Sequence, residues 1–327
     1  MLEFRNEEIE DFVGFCTDKG FWVGERIDVF DKENGWRLSG MVPEIAICME
    51  SEQFTALICI DGLILLRVKE LSASMPNMSD THRAVQWWEE HIDYINALLV
   101  FMESESNKCT QSGNIELSSI SIDKTCRVGI QGGRPVRRVH IGEISRVRAR
   151  QQASGWLVGG DEKTMPSVEW TGWDNCTVVS ENAIEAGLTQ FEHAISNPTL
   201  IKRLSFIAQA KSAFTRNDFR SSFILLWFVI EAAVKDMLLL GGETIDSNQP
   251  SISSVLRRLK TRGLMSAELF SELDDLRKRV RNKLMHESQT ATCLPSDCMI
   301  AAGAVITLVQ PDLATAIDLR WSFSVAF

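Results

Sequence analysis

Apolar residues recur every three or four positions over Val85, Trp88, Ile92, Ile95, Leu99 and Met102, the spacing that lines one face of an α-helix. Asp80 stands where it can cap that helix, which the pattern carries to about residue 103. Ahead of it, two short apolar runs at 54–60 and 63–68 flank Asp61-Gly62. That arrangement predicts a two-residue type I′ hairpin turn. The pattern turns to strands again over residues 115–150, with Gly132-Gly133 as a hairpin tip. A further helix is expected over 181–195 behind Ser180, and Asn197-Pro198 then breaks the chain. The expected boundary lies there: an α+β domain over residues 1–197 and an all-α domain over 198–327.

Past the boundary the chain reads as helix upon helix. The first spans 199–214. The second starts at an Asn217 or Asp218 cap and runs to Gly241-Gly242, where glycine can take the left-handed conformation that ends a helix. It is nearly all apolar and about 35 Å long at 1.5 Å per residue, which makes it the expected central helix. A short third helix begins at Ser251 and ends at Gly263. The fourth covers 266–284, with Leu269, Leu273, Leu276, Val280 and Leu284 as its buried stripe. On its outer face Asp274–Lys278 and Asp275–Arg279 stand four apart with the acid first, the favourable order. A fifth follows Pro295 and stops before Pro311. Short connections between such helices predict an up-and-down bundle.

Charge changes this picture more than composition does. The formal net charge of −10 is carried by residues 1–105, which hold 8 Lys+Arg against 21 Asp+Glu; residues 198–327 hold 16 against 13. A non-specific nucleic-acid binder needs more positive charge than this, but a local basic cleft is compatible with it. Six arginines (Arg134, Arg137, Arg138, Arg146, Arg148, Arg150) crowd seventeen residues. They read either as an RNA-backbone face or as a strand edge blunted by charge. The eight cysteines form no Cys-x-x-Cys pair, the opening residues are not a signal peptide, and the most apolar stretch is interrupted by Glu231, Lys235 and Asp236. Free thiols, a cytoplasmic location and no membrane span are expected. No Gly-x4-Gly-Lys-Ser/Thr, His-Glu-x-x-His or Gly-x-Ser-x-Gly motif occurs, and His82, His91, His140 and His193 lack metal-ligand spacing. Neither a cofactor nor a metal is expected.

One constellation carries chemistry. Arg281-Asn282-Lys283-Leu284-Met285-His286 lies at the C-terminal end of the fourth helix, and the long second helix carries one acid, Glu231, inside an apolar run. A histidine titrates near neutrality and can move protons in either direction. An arginine presents a planar, permanently charged fork that matches phosphate oxygens. In an ideal helix residues five apart lie about 140° around the axis, so Arg281 and His286 share no face unless the helix bends or ends; Asn282 and His286 do share one. The plain readings are that His286 complements the helix dipole, that Arg281 is a surface residue, and that Glu231 pairs with Lys235.

These residues, together with the helix Phe223-Ile224-Leu225-Leu226-Trp227-Phe228-Val229-Ile230-Glu231-Ala232-Ala233, resemble the HEPN superfamily, whose ribonucleases carry a polar residue after the Arg of Arg-x4-6-His. The resemblance covers about residues 199–310; residues 1–197 resemble no family. It implies a metal-independent endoribonuclease that uses the 2′-hydroxyl of RNA as nucleophile. Arg281, His286, Asn282 and Glu231 would be the catalytic set, with Arg277, Lys278 and Lys283 on the RNA and two domains paired as a homodimer around one cleft. Within that superfamily the arrangement resembles toxins and antiviral effectors, the N-terminal domain supplying substrate choice, sensing or restraint. The alternatives are a catalytically silent HEPN scaffold that binds nucleotides or proteins, and the toxin half of a toxin–antitoxin pair held by a partner on the acidic N-terminal region.

Overall fold

The structure, a computed structural model, describes residues 8–18, 20–27, 35–38, 41–77, 79–109, 115, 119–140, 177–242, 251–287 and 291–322. The chain is mixed α/β, strand-rich in its N-terminal part and helical in its C-terminal part. It divides into two compact units, Met1–Ile201 and Lys202–Phe327.

In the first unit the elements run β1 (Glu10–Phe15), β2 (Phe21–Val23), α1 (Gly35–Leu38), β3 (Ile45–Glu50), β4 (Phe54–Cys59), β5 (Ile64–Val68), α2 (Lys69–Ala73), α3 (Thr81–Lys108), β6 (Thr125–Gln131), β7 (Arg134–His140), β8 (Thr177–Val179) and α4 (Glu181–Ala194). Six strands form one antiparallel sheet in the order β3-β4-β5-β1-β6-β7, and β2 pairs with β8 in parallel. Every residue of β4 is buried. Leu57 and Cys59 pack with Phe12, Leu65, Cys126, Val128 and Ile130 on one face of the sheet. Phe54 meets Phe191 of α4 at 5.1 Å between ring centroids, and Tyr94 of α3 closes on the same ring at 6.5 Å. The two helices cross closely because Gly187 has no side chain: a Cβ there would lie 2.9 Å from the Met102 Cα.

Three local expectations change. The β4–β5 loop is not a type I′ turn. Gly62 N–H bonds to the Cys59 carbonyl at 2.9 Å and Cys59 N–H to the Leu63 carbonyl at 2.8 Å. Only Gly62 has positive φ (+77°), whereas a type I′ turn needs it at Asp61 as well. The loop is therefore three residues closed by a glycine bulge, with Asp61 Oδ1 accepting from Leu63 N–H at 3.1 Å. The type I′ geometry belongs to β6–β7, where Gly132 and Gly133 have φ of +56° and +76° between the paired Gln131 and Arg134. Helix α3 begins at the Asp80 cap, whose side chain accepts from Arg83 N–H. Val85 is exposed, however, because burial begins a residue earlier at Ala84 and continues through Trp87, whose indole donates to the Leu71 carbonyl at 2.8 Å. Of the crowded arginines, Arg134, Arg137 and Arg138 lie on β7, the last strand in the sheet order among the described residues, and Arg137 is paired with Asp11 at 2.5 Å. Arg146, Arg148 and Arg150 fall outside the described residues.

The helical part comprises α5 (Pro198–Thr215), α6 (Phe219–Leu240), α7 (Ile252–Thr261), α8 (Ala267–Leu276), a π-helical turn (Arg277–Arg281), α9 (Asn282–His286) and α10 (Pro295–Val309). Asn217, with φ of +62°, ends α5, and Asp218 then caps α6 by accepting from Ser221 N–H. Ser251 and Ser266 cap α7 and α8 in the same way. Helix α6 packs against α7 and α10, and α8 against α7 and α10. Buried Arg203 of α5 ties to Asp236 of α6 and to Asp312 beyond α10. The order is not a simple up-and-down one. Arg262, just past α7, donates to the Gly241 carbonyl at 2.8 Å, so the C-terminal ends of α6 and α7 meet, whereas a hairpin holds them apart.

Candidate active site

The fourth predicted helix is three pieces. Its buried positions step by three from Leu273 to Leu276, then by four to Val280 and by four to Leu284, a spacing that an α-helix keeps on one face. The chain nevertheless widens at Arg277–Arg281, the Asn282 N–H reaching back five residues to the Arg277 carbonyl. Arg281 is the last residue of that turn, and Asn282 begins the short α9 that ends at His286.

On α6 the lone acid Glu231 is held from its own helix. The indole N–H of buried Trp227, one turn earlier, donates to Glu231 Oε1 at 2.6 Å, and Trp227 is itself stacked on Phe223. The same oxygen accepts from Arg281 Nη2 at 3.1 Å. The two charged side chains retain 25% (Arg281) and 22% (Glu231) of their exposure, so the pair is shielded but not sealed. Glu231 pairs with Arg281, fifty residues away, rather than with Lys235 at i,i+4. Arg281 Nη1 stands 3.5 Å from Asn282 Oδ1, the outer limit of a hydrogen bond, and Arg281 Nε is buried without an acceptor. One edge of the guanidinium is thus fixed by Glu231 while its buried Nε donor remains unsatisfied.

The remaining candidates separate. His286 is exposed at the end of α9 and makes no hydrogen bond to another described residue, so Glu231, Trp227, Arg281 and Asn282 come together without it. Arg277 gives two hydrogen bonds to Asp274 Oδ1, at 3.1 and 2.8 Å, and Lys278 reaches the other oxygen of that carboxylate at 2.6 Å. The two cations hold the Asp274 carboxyl below its usual range, the Lys278 hydrogen bond most strongly. Lys283 is exposed and unpaired among the described residues.

Sequence reasoning named Trp227 only within the apolar helix and Asp274 as the partner of Lys278, a pair that forms at 2.6 Å, as Asp275–Arg279 does at 3.1 Å; it did not name Asp297. Trp227 and Glu231 stand at i,i+4, a spacing that pairs side chains on one helix face. Asp297 had no such signal: it is buried, lies on α10, and accepts from Arg279 Nη1 at 2.7 Å. That hydrogen bond raises the Arg279 pKa above its ordinary value against the opposing effect of burial, and it anchors the π turn from its other side. Comparison with protein-family models, with curated proteins and with solved structures finds no match for this chain.

Proposed function

We propose that the protein is a metal-independent endoribonuclease of the HEPN type, acting through Arg281, Asn282 and His286 with Glu231 as the residue that positions Arg281. The observation that supports it most is the Glu231–Arg281 pair. A lone acid in an apolar helix meets the arginine of the Arg-x4-His segment at 3.1 Å, and five residues on stands an exposed imidazole with no hydrogen-bond partner among the described residues.

Cleavage of RNA by its own 2′-hydroxyl needs a base to take the hydroxyl proton, an acid to protonate the leaving 5′-oxygen, and a cation for the charge on phosphorus. Arg281 supplies the cation from a fixed position. One imidazole serves one proton transfer at a time, so a homodimer that brings a second His286 to the same phosphate supplies the other. Lys283 and Lys278, both exposed, suit contacts with the flanking backbone. The N-terminal unit would then govern which RNA enters or when, through a trigger or antitoxin partner, and the activity fits a toxin or antiviral effector.

A silent scaffold is the competing reading: catalytic imidazoles are ordinarily held by a second hydrogen bond, and among the described residues none orients His286. One experiment decides between them. Purified protein is incubated with RNA in excess EDTA and the ends are analysed. The ribonuclease reading expects 2′,3′-cyclic phosphate ends and no cutting at a 2′-deoxy position. Strict magnesium dependence, 5′-phosphate products, or RNA left intact by folded homodimer would refute it.

A further inference from the structure

Helix α10 opens in an unusual way. Its N-cap is Leu294, whose side chain offers no acceptor, so capping falls to Asp297, three residues in, which accepts from Leu294 N–H at 2.9 Å. In such helix starts the residue before the cap packs against the fourth residue of the helix, an apolar contact that fixes the angle of entry. Here those two positions are Cys293 and Cys298. Their sulfurs stand 3.8 Å apart, and both face the Phe219 carbonyl, at 3.4 and 3.2 Å. Cys298 is fully buried and Cys293 is half-buried, so the pair is reachable from one side.

We infer that Cys293 and Cys298 are an oxidation site, a helix staple that closes reversibly into a disulfide. A disulfide needs its sulfurs about 2.05 Å apart, so the 3.8 Å contact must close by a little under 2 Å. The two thiols titrate as a pair. The Cys293 S–H hydrogen bond stabilises a thiolate at Cys298 and draws its pKa below the ordinary thiol value, while the proton on Cys293 is held more tightly than usual. The Cys298 proton is therefore lost more readily than that of an isolated thiol. With hydrogen peroxide as oxidant, the Cys298 thiolate, reached past half-buried Cys293, attacks the O–O bond, giving a sulfenic acid and hydroxide, which is protonated to water. The Cys293 sulfur then displaces the sulfenic hydroxyl, and its proton leaves with that group as a second water. Two thiols and one peroxide become one disulfide and two waters. Asp297, between the two cysteines, is the residue that grips Arg279 of the π turn, so closing the staple fixes that grip.

Both cysteines fall in one tryptic peptide, residues 284–320, which holds no other cysteine. The full-length protein is exposed to peroxide, its free thiols are alkylated after denaturation, and this peptide is weighed. The expected species lacks two hydrogens, takes up no alkylating agent, and regains two labels after dithiothreitol. Cys293→Ser should remove it and leave Cys298 labelled. The wild-type peptide is decisive even if that variant folds poorly. Two alkylated cysteines after peroxide, or a sulfinic acid at either position with no cross-link, would overturn the assignment.

Discussion

Removing the Glu231 carboxylate tests the centre of the proposed site. In Glu231→Ala the indole N–H of buried Trp227 loses its acceptor, at a cost of about 1–3 kcal/mol for an unsatisfied buried donor. Arg281 loses a charge-assisted hydrogen bond of about 1.5–3 kcal/mol, and the low end applies because both charged groups keep roughly a quarter of their exposure. Together these give about 3 kcal/mol, a large part of the 5–15 kcal/mol typical of folded domains. Glu231→Gln keeps an oxygen for both donors and loses only the charge, so about 1 kcal/mol is expected. Urea unfolding followed by circular dichroism should show this order, with a coupling of about 1–2 kcal/mol in the cycle with Arg281→Ala. If Glu231 positions Arg281, cleavage should fall in Glu231→Ala and recover in part in Glu231→Gln. Coupling below about 0.3 kcal/mol, or equal stabilities for the Ala and Gln variants, would refute the reasoning.

Arg281→Ala and His286→Ala should each lower RNA cleavage at least ~100-fold. His286→Ala should leave the unfolding midpoint unchanged, since the residue is exposed and its ring hydrogen-bonds to no other described residue; full activity in a folded His286→Ala protein would remove its catalytic role. Titrating His286→Ala subunits into wild type under exchange conditions should reduce activity more steeply than dilution if the site is composite, and a strictly linear loss would exclude that. In the first unit, His91 is buried against Trp87 and Trp88 and its Nδ1 pairs with the Trp87 carbonyl at 2.9 Å. Burial, against that hydrogen bond, holds its pKa down to about 4. The unfolded chain takes up this proton near pH 6.5 and the folded chain only near 4, so stability should fall as pH drops through that window, by about 3 kcal/mol, with no further loss from this group below it. Urea midpoints across the range check this, and His91→Gln should flatten the slope.

Where local chemistry determines structure, the sequence was legible. Asp80, Ser180, Asp218, Ser251 and Ser266 each accept from the backbone N–H three residues on, as caps do. Gly242 and Gly263 take the left-handed conformation just past α6 and α7. Turn type was less legible, because Asp61-Gly62 and Gly132-Gly133 both satisfy a hairpin signature and the choice between a two- and a three-residue loop is made by strand register. Gly62 could not tolerate a side chain in either loop type, since a Cβ would meet the Phe21 carbonyl at 2.7 Å.

The candidate site divides along the same line, and the division says what kind of site it is. Helix spacing correctly placed Leu273, Leu276, Val280 and Leu284 on one buried stripe, with Leu269 only half-buried, but that spacing fits a continuous α-helix and gave no sign of the π turn at Arg277–Arg281. That turn decides which way Arg281 leaves the helix. Glu231 was visible as an isolated acid in an apolar run, a residue that must find a partner, yet its partner fifty residues away was one of several open to it. Arg281 ends the π turn, and Asp297 of α10 grips Arg279 of that turn at 2.7 Å, a contact with no local signature. The position of Arg281 is therefore set by three separate helices. A substitution at Asp297, which touches neither Arg281 nor His286 through any hydrogen bond, should disturb the arginine as surely as one at Glu231. Asp297→Asn, which keeps the size and loses the charge that holds Arg279, separates this account from one in which Glu231 alone fixes Arg281. The three-helix account expects weaker cleavage in Asp297→Asn with the fold intact; unchanged cleavage would leave Glu231 as the sufficient anchor.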